Sequence, residues 1–464
     1  MLFPTVEFAI YFPIMLAISW ALMSRLEWWK VFIVGASYLF YGTANWKFCL
    51  LLAGVTVGNH LFARAIAGTE DPRRRKQLVG TAVALDLAML GVFKYYAFFV
   101  EDVDRVLDST GLGLPLPLLT IALPVGISFF TFQAITYVVD TYRGHAEPAP
   151  LLDVAVYLSF FSHLVAGPIV RASEFLPQVS TPRDPNNVAV GAGLFLIAVG
   201  LVKKVAVADF LAREVVDPVF AVPEAHSAVD VIFGVYAYAA QIYCDFSGYT
   251  DMAIGLALLL GIVFPQNFNR PYRSRSISEF WRRWHMTLSR FLRDYLYIPL
   301  GGNRGGRLAT ARNLLLTMLL GGLWHGAAWG FVVWGGVHGT ALVVEHQFRG
   351  RKVPFPGWFK WLLTFHVVVL AWIVFRAADL DVAGQLLSQL GDWGPATLIT
   401  WTTLLVVMLT IGFQLLPERE TGELRLRVEQ LHPAAMGAAL AGVVALVAAT
   451  VPTQGVPPFI YFAF

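Results

Sequence analysis

Apolar residues in this chain gather into stretches close to 20 residues long, separated by short segments that hold most of the charges. The stretches run roughly over 4–24, 31–44, 47–66, 79–100, 118–139, 188–209, 229–246, 311–323, 328–347, 358–376, 395–416 and 434–452. A helix rises about 1.5 Å per residue, so about 20 apolar residues cross a hydrocarbon core of about 30 Å. Strands of a membrane barrel would be about 10 residues long with alternating polarity, which is not the pattern here. The expected fold is therefore an all-α polytopic membrane protein with about 11–12 transmembrane helices. Segments 151–170 and 248–265 do not fit as crossings and are expected as re-entrant or buried pieces.

The charges orient these helices. Arg64 with Arg73 to Lys76, the stretch Arg270 to Arg312, and Arg349 with Arg351 and Lys352 form basic loops, which the positive-inside rule places in the cytoplasm. Loops 101–108, 210–227 and 377–393 carry more acid than base and alternate with them. Threading the signs puts both termini outside. Only 14% of the 464 residues are charged, against about 25% in soluble domains. A net charge of +3 is too small to imply nucleic acid. The two cysteines, Cys49 and Cys244, supply neither a disulfide framework nor a zinc site and read as buried thiols. The first apolar stretch lacks a basic lead and a small-residue cleavage site, so it reads as a retained helix. No repeat or soluble domain interrupts the chain, and residues 1–464 are expected to form one integral-membrane domain.

Two segments carry chemistry. Gly321-Gly322-Leu323-Trp324-His325-Gly326 sets one imidazole between glycines and aromatic rings. A histidine at membrane depth costs free energy unless it is paired, hydrated or used. The apolar run before it is too short to cross, so the helix is expected to stop at Gly321 and Gly322, with His325 at the floor of a funnel. The second segment, Arg270 to Leu300, interleaves aromatic and basic residues, and a helix is expected to start at Ser278 with Phe280 and Trp281. One reading is an interfacial amphipathic helix that snorkels its arginines to headgroups. The other is a phosphate-binding surface for a coenzyme or a carrier-protein pantetheine, with His285 directed the same way.

Further elements join these in series. They are Leu123-Pro124-Val125-Gly126-Ile127-Ser128-Phe129-Phe130-Thr131-Phe132-Gln133, Tyr137 to Gly144, Phe160 to Ile169, and Gln241-Ile242-Tyr243-Cys244-Asp245-Phe246-Ser247-Gly248-Tyr249 onward to Met252. With the 270–300 segment and Trp324-His325-Gly326, this series resembles the membrane-bound O-acyltransferase family, in its alginate O-acetyltransferase-like branch. The resemblance implies a bundle around a central funnel and tunnel in a bacterial inner membrane. It assigns His325 as the catalytic histidine and matches His285 to the family's second one, on the cytoplasmic side of the same tunnel. Trp324, Arg282, Arg283 and Trp284 become tunnel or donor-binding candidates, as do Gln241, Asp245 and Tyr249. The chemistry fits the residue type, because acyl transfer from a thioester to a hydroxyl needs a base, and imidazole has a pKa of about 6.5. No metal and no permanently bound cofactor are expected; the donor would be an acyl-CoA or an acyl-carrier-protein thioester.

The last six residues, Phe459 to Phe464, resemble a C-terminal aromatic motif of this branch. They read either as an aromatic belt or as a relay in which Tyr461 receives the acyl group. The implied partners are membrane lipid, an extracytoplasmic SGNH-type acyltransferase, and a polysaccharide acceptor reached directly or through that protein. His163 reads as a satisfied buried histidine, Asp245 and Asp251 as a buried network, and Lys203-Lys204 as an interface anchor. The competing function classes are a transporter or flippase, for which inverted repeats would be expected, and a non-catalytic scaffold.

Overall fold

The structure is a computed structural model and describes residues 1, 3–110, 122–348, 350, 355–417, 431 and 433–450. Every regular element among the described residues is helical. Helices overlap each of the apolar stretches read from the sequence, from Val6–Leu22 to Pro433–Thr450. Four of them, Trp46–Ala67, Pro72–Ser109, Val190–Ala221 and Gly357–Arg376, are long and apolar enough to cross a membrane, and Val6–Leu22 and Trp401–Leu415 are shorter apolar helices. The chain forms two compact units, residues 1–190 with 256–265, and residues 191–255 with 266–464.

In the first unit, Ile127–Arg143 is buried along almost its whole length. It starts at Gly126, whose φ is 74° and where a Cβ would lie 2.2 Å from the Leu164 carbonyl oxygen, so only glycine fits. The basic run Arg73 to Lys76 is not a loop. Asp71 caps it and Pro72 opens it, so the run forms the start of a helix that continues through a π turn to Ser109 and absorbs the acidic residues 101–108. The 151–170 segment is buried, as expected, in two short helices, Leu151–Ser159 and Phe161–Leu164, kinked at Phe160. His163 lies there, its Nε2 2.8 Å from the Tyr157 carbonyl and its ring stacked on Phe264.

Segment 248–265 is buried, the second of its two expected readings, but it is not a separate piece. Its first part continues the helix Ala228–Leu259 without a break. Gly248 is a contact and not an interruption, because a Cβ there would come within 2.8 Å of the Gly200 carbonyl oxygen. Gly200 and Gly255 make matching approaches, to Gly248 and Gly193, and these glycines join Val190–Leu201 to the long helix. Beyond this seam Lys204 is no interface anchor. It is buried and pairs with Asp245 at 2.5 Å and Asp209 at 2.7 Å. Removing one member of such a buried set leaves an uncompensated charge, typically at a cost of about 3–5 kcal/mol. Lys203 pairs with Asp251 at 2.6 Å.

The helix before His325 also departs from expectation. It spans Gly306–His325, and its 20 residues include Arg307, Arg312, Gly321 and Gly322. The glycines do not end it. A Cβ on Gly322 would lie 2.2 Å from the Phe331 carbonyl oxygen, and one on Gly335 would lie 2.3 Å from that of Met318. They form the seam of a tight hairpin with Trp329–Gln347. The turn comes at Gly326, where any Cβ would strike the Phe331 ring.

Gly322→Ala is therefore expected to strain the hairpin by about 1–3 kcal/mol, as overpacking does in a dense interior. Gly54→Ala, at a helical glycine with nothing within 4 Å, is expected to be neutral or slightly stabilising. Thermal unfolding of the two detergent-solubilised variants checks this, and equal midpoints would mean that the hairpin seam is not close-packed.

Candidate active site

Segment 270–300 is not one amphipathic helix. Ser276 caps the short helix Ile277–Trp281 by accepting from the Glu279 backbone N–H at 3.0 Å, two residues before the expected start. A turn then leads to Met286–Phe291 and a π segment, Leu292–Tyr297. Phe280, Trp281, Trp284 and His285 all face inward and are buried. Burial of these rings, rather than headgroup contact, decides the shape of the segment.

His285 occupies the turn with φ at 41°, a left-handed conformation uncommon for a side chain of this size. Asn267 holds it there. Its Oδ1 accepts from His285 Nδ1 at 3.2 Å, from the Thr287 backbone N–H at 3.1 Å and from Thr287 Oγ1 at 2.9 Å, while its backbone carbonyl accepts from the Met286 N–H at 2.9 Å. A carbonyl oxygen only accepts, so His285 carries its proton on Nδ1. Nε2 is then left with its lone pair and has no hydrogen-bond partner among the described residues. Phe246, from the long helix, meets the other side of the ring edge-on at 4.7 Å.

His325 is the last residue of its helix and is almost fully buried. Trp324 and Trp334 lie 5.0 Å from its ring and Phe375 lies at 5.4 Å, all edge-on. The rings of His285 and His325 are 6.5 Å apart, close enough for one reacting group to touch both. Trp324 also faces His285, at 6.1 Å.

The other candidates separate. Arg282 lines a cavity of about 940 Å³ together with Arg275, Arg293, Lys360 and Glu345. Arg283 instead pairs with Glu279 at 3.0 Å and donates to the Asn269 carbonyl, so it braces the turn. Trp284 is packed among Phe268, Phe280 and Trp372. Gln241, Asp245 and Tyr249 are buried at i, i+4 and i+8 of the long helix, on one face, and Asp245 is held by Lys204. Tyr461 and the motif 459–464 lie outside the described residues. Asn267, Trp334, Phe375 and His338 do not stand out in the sequence as site residues, because nothing in their local pattern distinguishes them from core, and Phe246 lies within the Gln241–Met252 element with no sign there that it meets His285.

The model of the membrane-bound O-acyltransferase family matches residues 33–378. The chain belongs to this family. It is 42% identical over 390 residues to a probable alginate O-acetylase AlgI of Pseudomonas aeruginosa, covering 83% of this chain and 74% of that protein. It is 40% identical over 392 residues to a peptidoglycan O-acetyltransferase of Helicobacter pylori, covering 77% and 73%. A more distant relative is a teichoic acid D-alanyltransferase of Streptococcus thermophilus, 27% identical over 284 residues, covering 54% and 68%. The chain is thus a multi-pass membrane O-acyltransferase, and it needs an acyl donor rather than a bound cofactor.

If Asn267 orients the acyltransferase's buried His285, then Asn267→Ala should lower turnover by on the order of 10-fold or more, as loss of an orienting partner does elsewhere. Asn267→Asp keeps the acceptor oxygen and should retain more activity. Turnover of a folded Asn267→Ala protein equal to that of the wild type would show that the clamp is dispensable.

Proposed function

We propose that this acyltransferase takes an acyl group, acetyl by analogy with its named relatives, from a cytoplasmic thioester and passes it outward for O-acylation of a cell-surface polysaccharide. The observation that carries the reading is the meeting of His285 and His325 at 6.5 Å in a buried, aromatic-walled site. His325 acts as the general base. It takes the proton of the attacking hydroxyl as oxygen bonds to the thioester carbonyl carbon; the tetrahedral intermediate collapses, the C–S bond breaks, and the sulfur leaves with that proton as a thiol. His285, with Nε2 free to accept, faces the same group from the donor side. Trp324 walls the passage beside them, and Gln241, Asp245 and Tyr249 form its polar flank.

The cavity of about 940 Å³ suits the donor. Among the described lining residues, Arg275, Arg282, Arg293 and Lys360 outweigh the carboxylate of Glu345, and guanidinium forks match phosphate oxygens. Acyl-CoA and acyl-carrier protein both present phosphate on a pantetheine arm, so both fit this rim. The basic charge of the segment supports a cytoplasmic position, and the alternation of basic and acidic segments along the chain supports both termini outside a bacterial inner membrane. On that topology Tyr461 would take up the acyl group on the acceptor side. A phenol ionises near pH 10, so its ester is a better acyl donor than an alkyl ester and can be passed to an SGNH-type partner that acylates the polymer.

His325→Ala is expected to cut thioester cleavage by about 10²–10⁴ in folded protein. Turnover near the wild-type rate would overturn the assignment, and acceptor movement without thioester cleavage would favour a transporter. For the relay, cells carrying Tyr461→Phe should lose polymer O-acylation while the protein still reaches the membrane. Normal acylation in those cells would leave residues 459–464 as an aromatic belt.

A further inference from the structure

His338 is fully buried, and neither of its ring nitrogens has a hydrogen-bond partner among the described residues. It lies one face along Trp329–Gln347 from the catalytic pair. Trp334, His338, Leu342 and Glu345 recur at spacings of three and four, so they share one side of that helix. At one end of this stripe, Leu342 and Glu345 line the basic cavity. At the other, Trp334 meets the His325 ring at 5.0 Å. His338 is between them. Its ring contacts Trp334 at 4.8 Å, Trp281 at 5.4 Å and Phe280, stacked, at 5.8 Å, and Trp281 is itself part of the cavity wall.

The indole N–H groups of Trp281 and Trp334 likewise have no acceptor among the described residues. An indole N–H can only donate, and a neutral imidazole always carries one N–H. Two indole N–H groups, one imidazole N–H and one imidazole lone pair, set between the cavity wall and His325, ask for a ligand whose carbonyl oxygens accept and whose N–H donates, as amides do. A buried polar group left unmatched is costly, so the ligand that supplies those acceptors is selected over one that does not.

We propose that His338 binds the amide-bearing, pantetheine-type arm of the thioester donor, donating a ring N–H to an amide carbonyl as the arm runs from the cavity to His325. This rests on the acyl-transfer reading above. It adds a donor-selecting residue that takes no part in proton transfer. His338 touches the arm and not the reacting carbon, so its loss should raise KM for arm-bearing donors and spare the chemistry. Trp281 and Trp334 supply the neighbouring donors.

The test compares two donors on purified protein, acetyl-pantetheine, which has the arm, and phenyl thioacetate, which lacks it. His338→Phe keeps a stacked ring and removes both nitrogens. It should raise KM for acetyl-pantetheine about tenfold, the loss of one buried hydrogen bond, with kcat nearly unchanged and phenyl thioacetate turnover within about twofold of wild type. His338→Gln, which retains an N–H, should recover part of the lost affinity. The phenyl thioacetate rate also reports whether the variant is folded. Equal loss on both donors, or no loss on either, would overturn the proposal. A His325→Ala control that cleaves both thioesters at the wild-type rate would instead overturn the acyl-transfer reading, and this inference with it.

Discussion

One side-chain oxygen organises the site. Oδ1 of Asn267 accepts from His285 and twice from Thr287, and the same residue's backbone takes the Met286 N–H. The clamp maintains a left-handed turn at His285 that its short flanking helices, each five or six residues long, could not hold alone. It also sets the tautomer, so Nε2 keeps its lone pair toward the interior. Asn267, His285 and Thr287 are all buried, and irregular backbone at membrane depth survives only where protein satisfies it. The turn, the ring direction and the proton position are thus consequences of one residue.

The second constraint is backbone proximity. The helix that ends at His325 and the next are pressed together at Gly322 and Gly335, with Gly326 against the Phe331 ring. Small residues at such seams let helices approach closely where hydrophobic driving force between them is weak. The same device joins Gly200 to Gly248, next to the buried Lys204, Asp245 and Asp209. That ion set ties the long helix to its neighbour, and the aromatic residue after Asp245, Phe246, reaches the His285 ring.

Apolar stretch length was enough to find the helices, because burial in lipid demands long runs whatever the sequence between them. Their ends were harder to read. Arg73 to Lys76 and residues 101–108 look like loops by charge, yet a helix satisfies its own backbone and can carry charges beyond the apolar band. Gly321 and Gly322 read as breaks by local propensity, but the neighbouring elements reward the missing Cβ, and tertiary contact outweighs about 1 kcal/mol of propensity. One signal was present and misread: Ser276-Ile277-Ser278-Glu279 has the spacing of a capping box, and Ser276 does cap the helix. His325 and His285 were legible as motif residues. Asn267 and His338 were not, since their roles arise from residues far away in the chain. Lys204 looks like an interface anchor in isolation; one of its partners, Asp209, is five positions on, but the other, Asp245, is 41 positions on.

The claim on which everything else rests is that His285 and His325 act on one reacting group. A double-mutant cycle on thioester cleavage measures this directly, using His285→Ala, His325→Ala and the combined variant in folded, detergent-solubilised protein. Residues that serve a single transition state are grossly non-additive, so the combined variant should be little slower than the slower single variant. If the two losses instead multiply, the histidines act independently, and a shared site at their meeting point is contradicted.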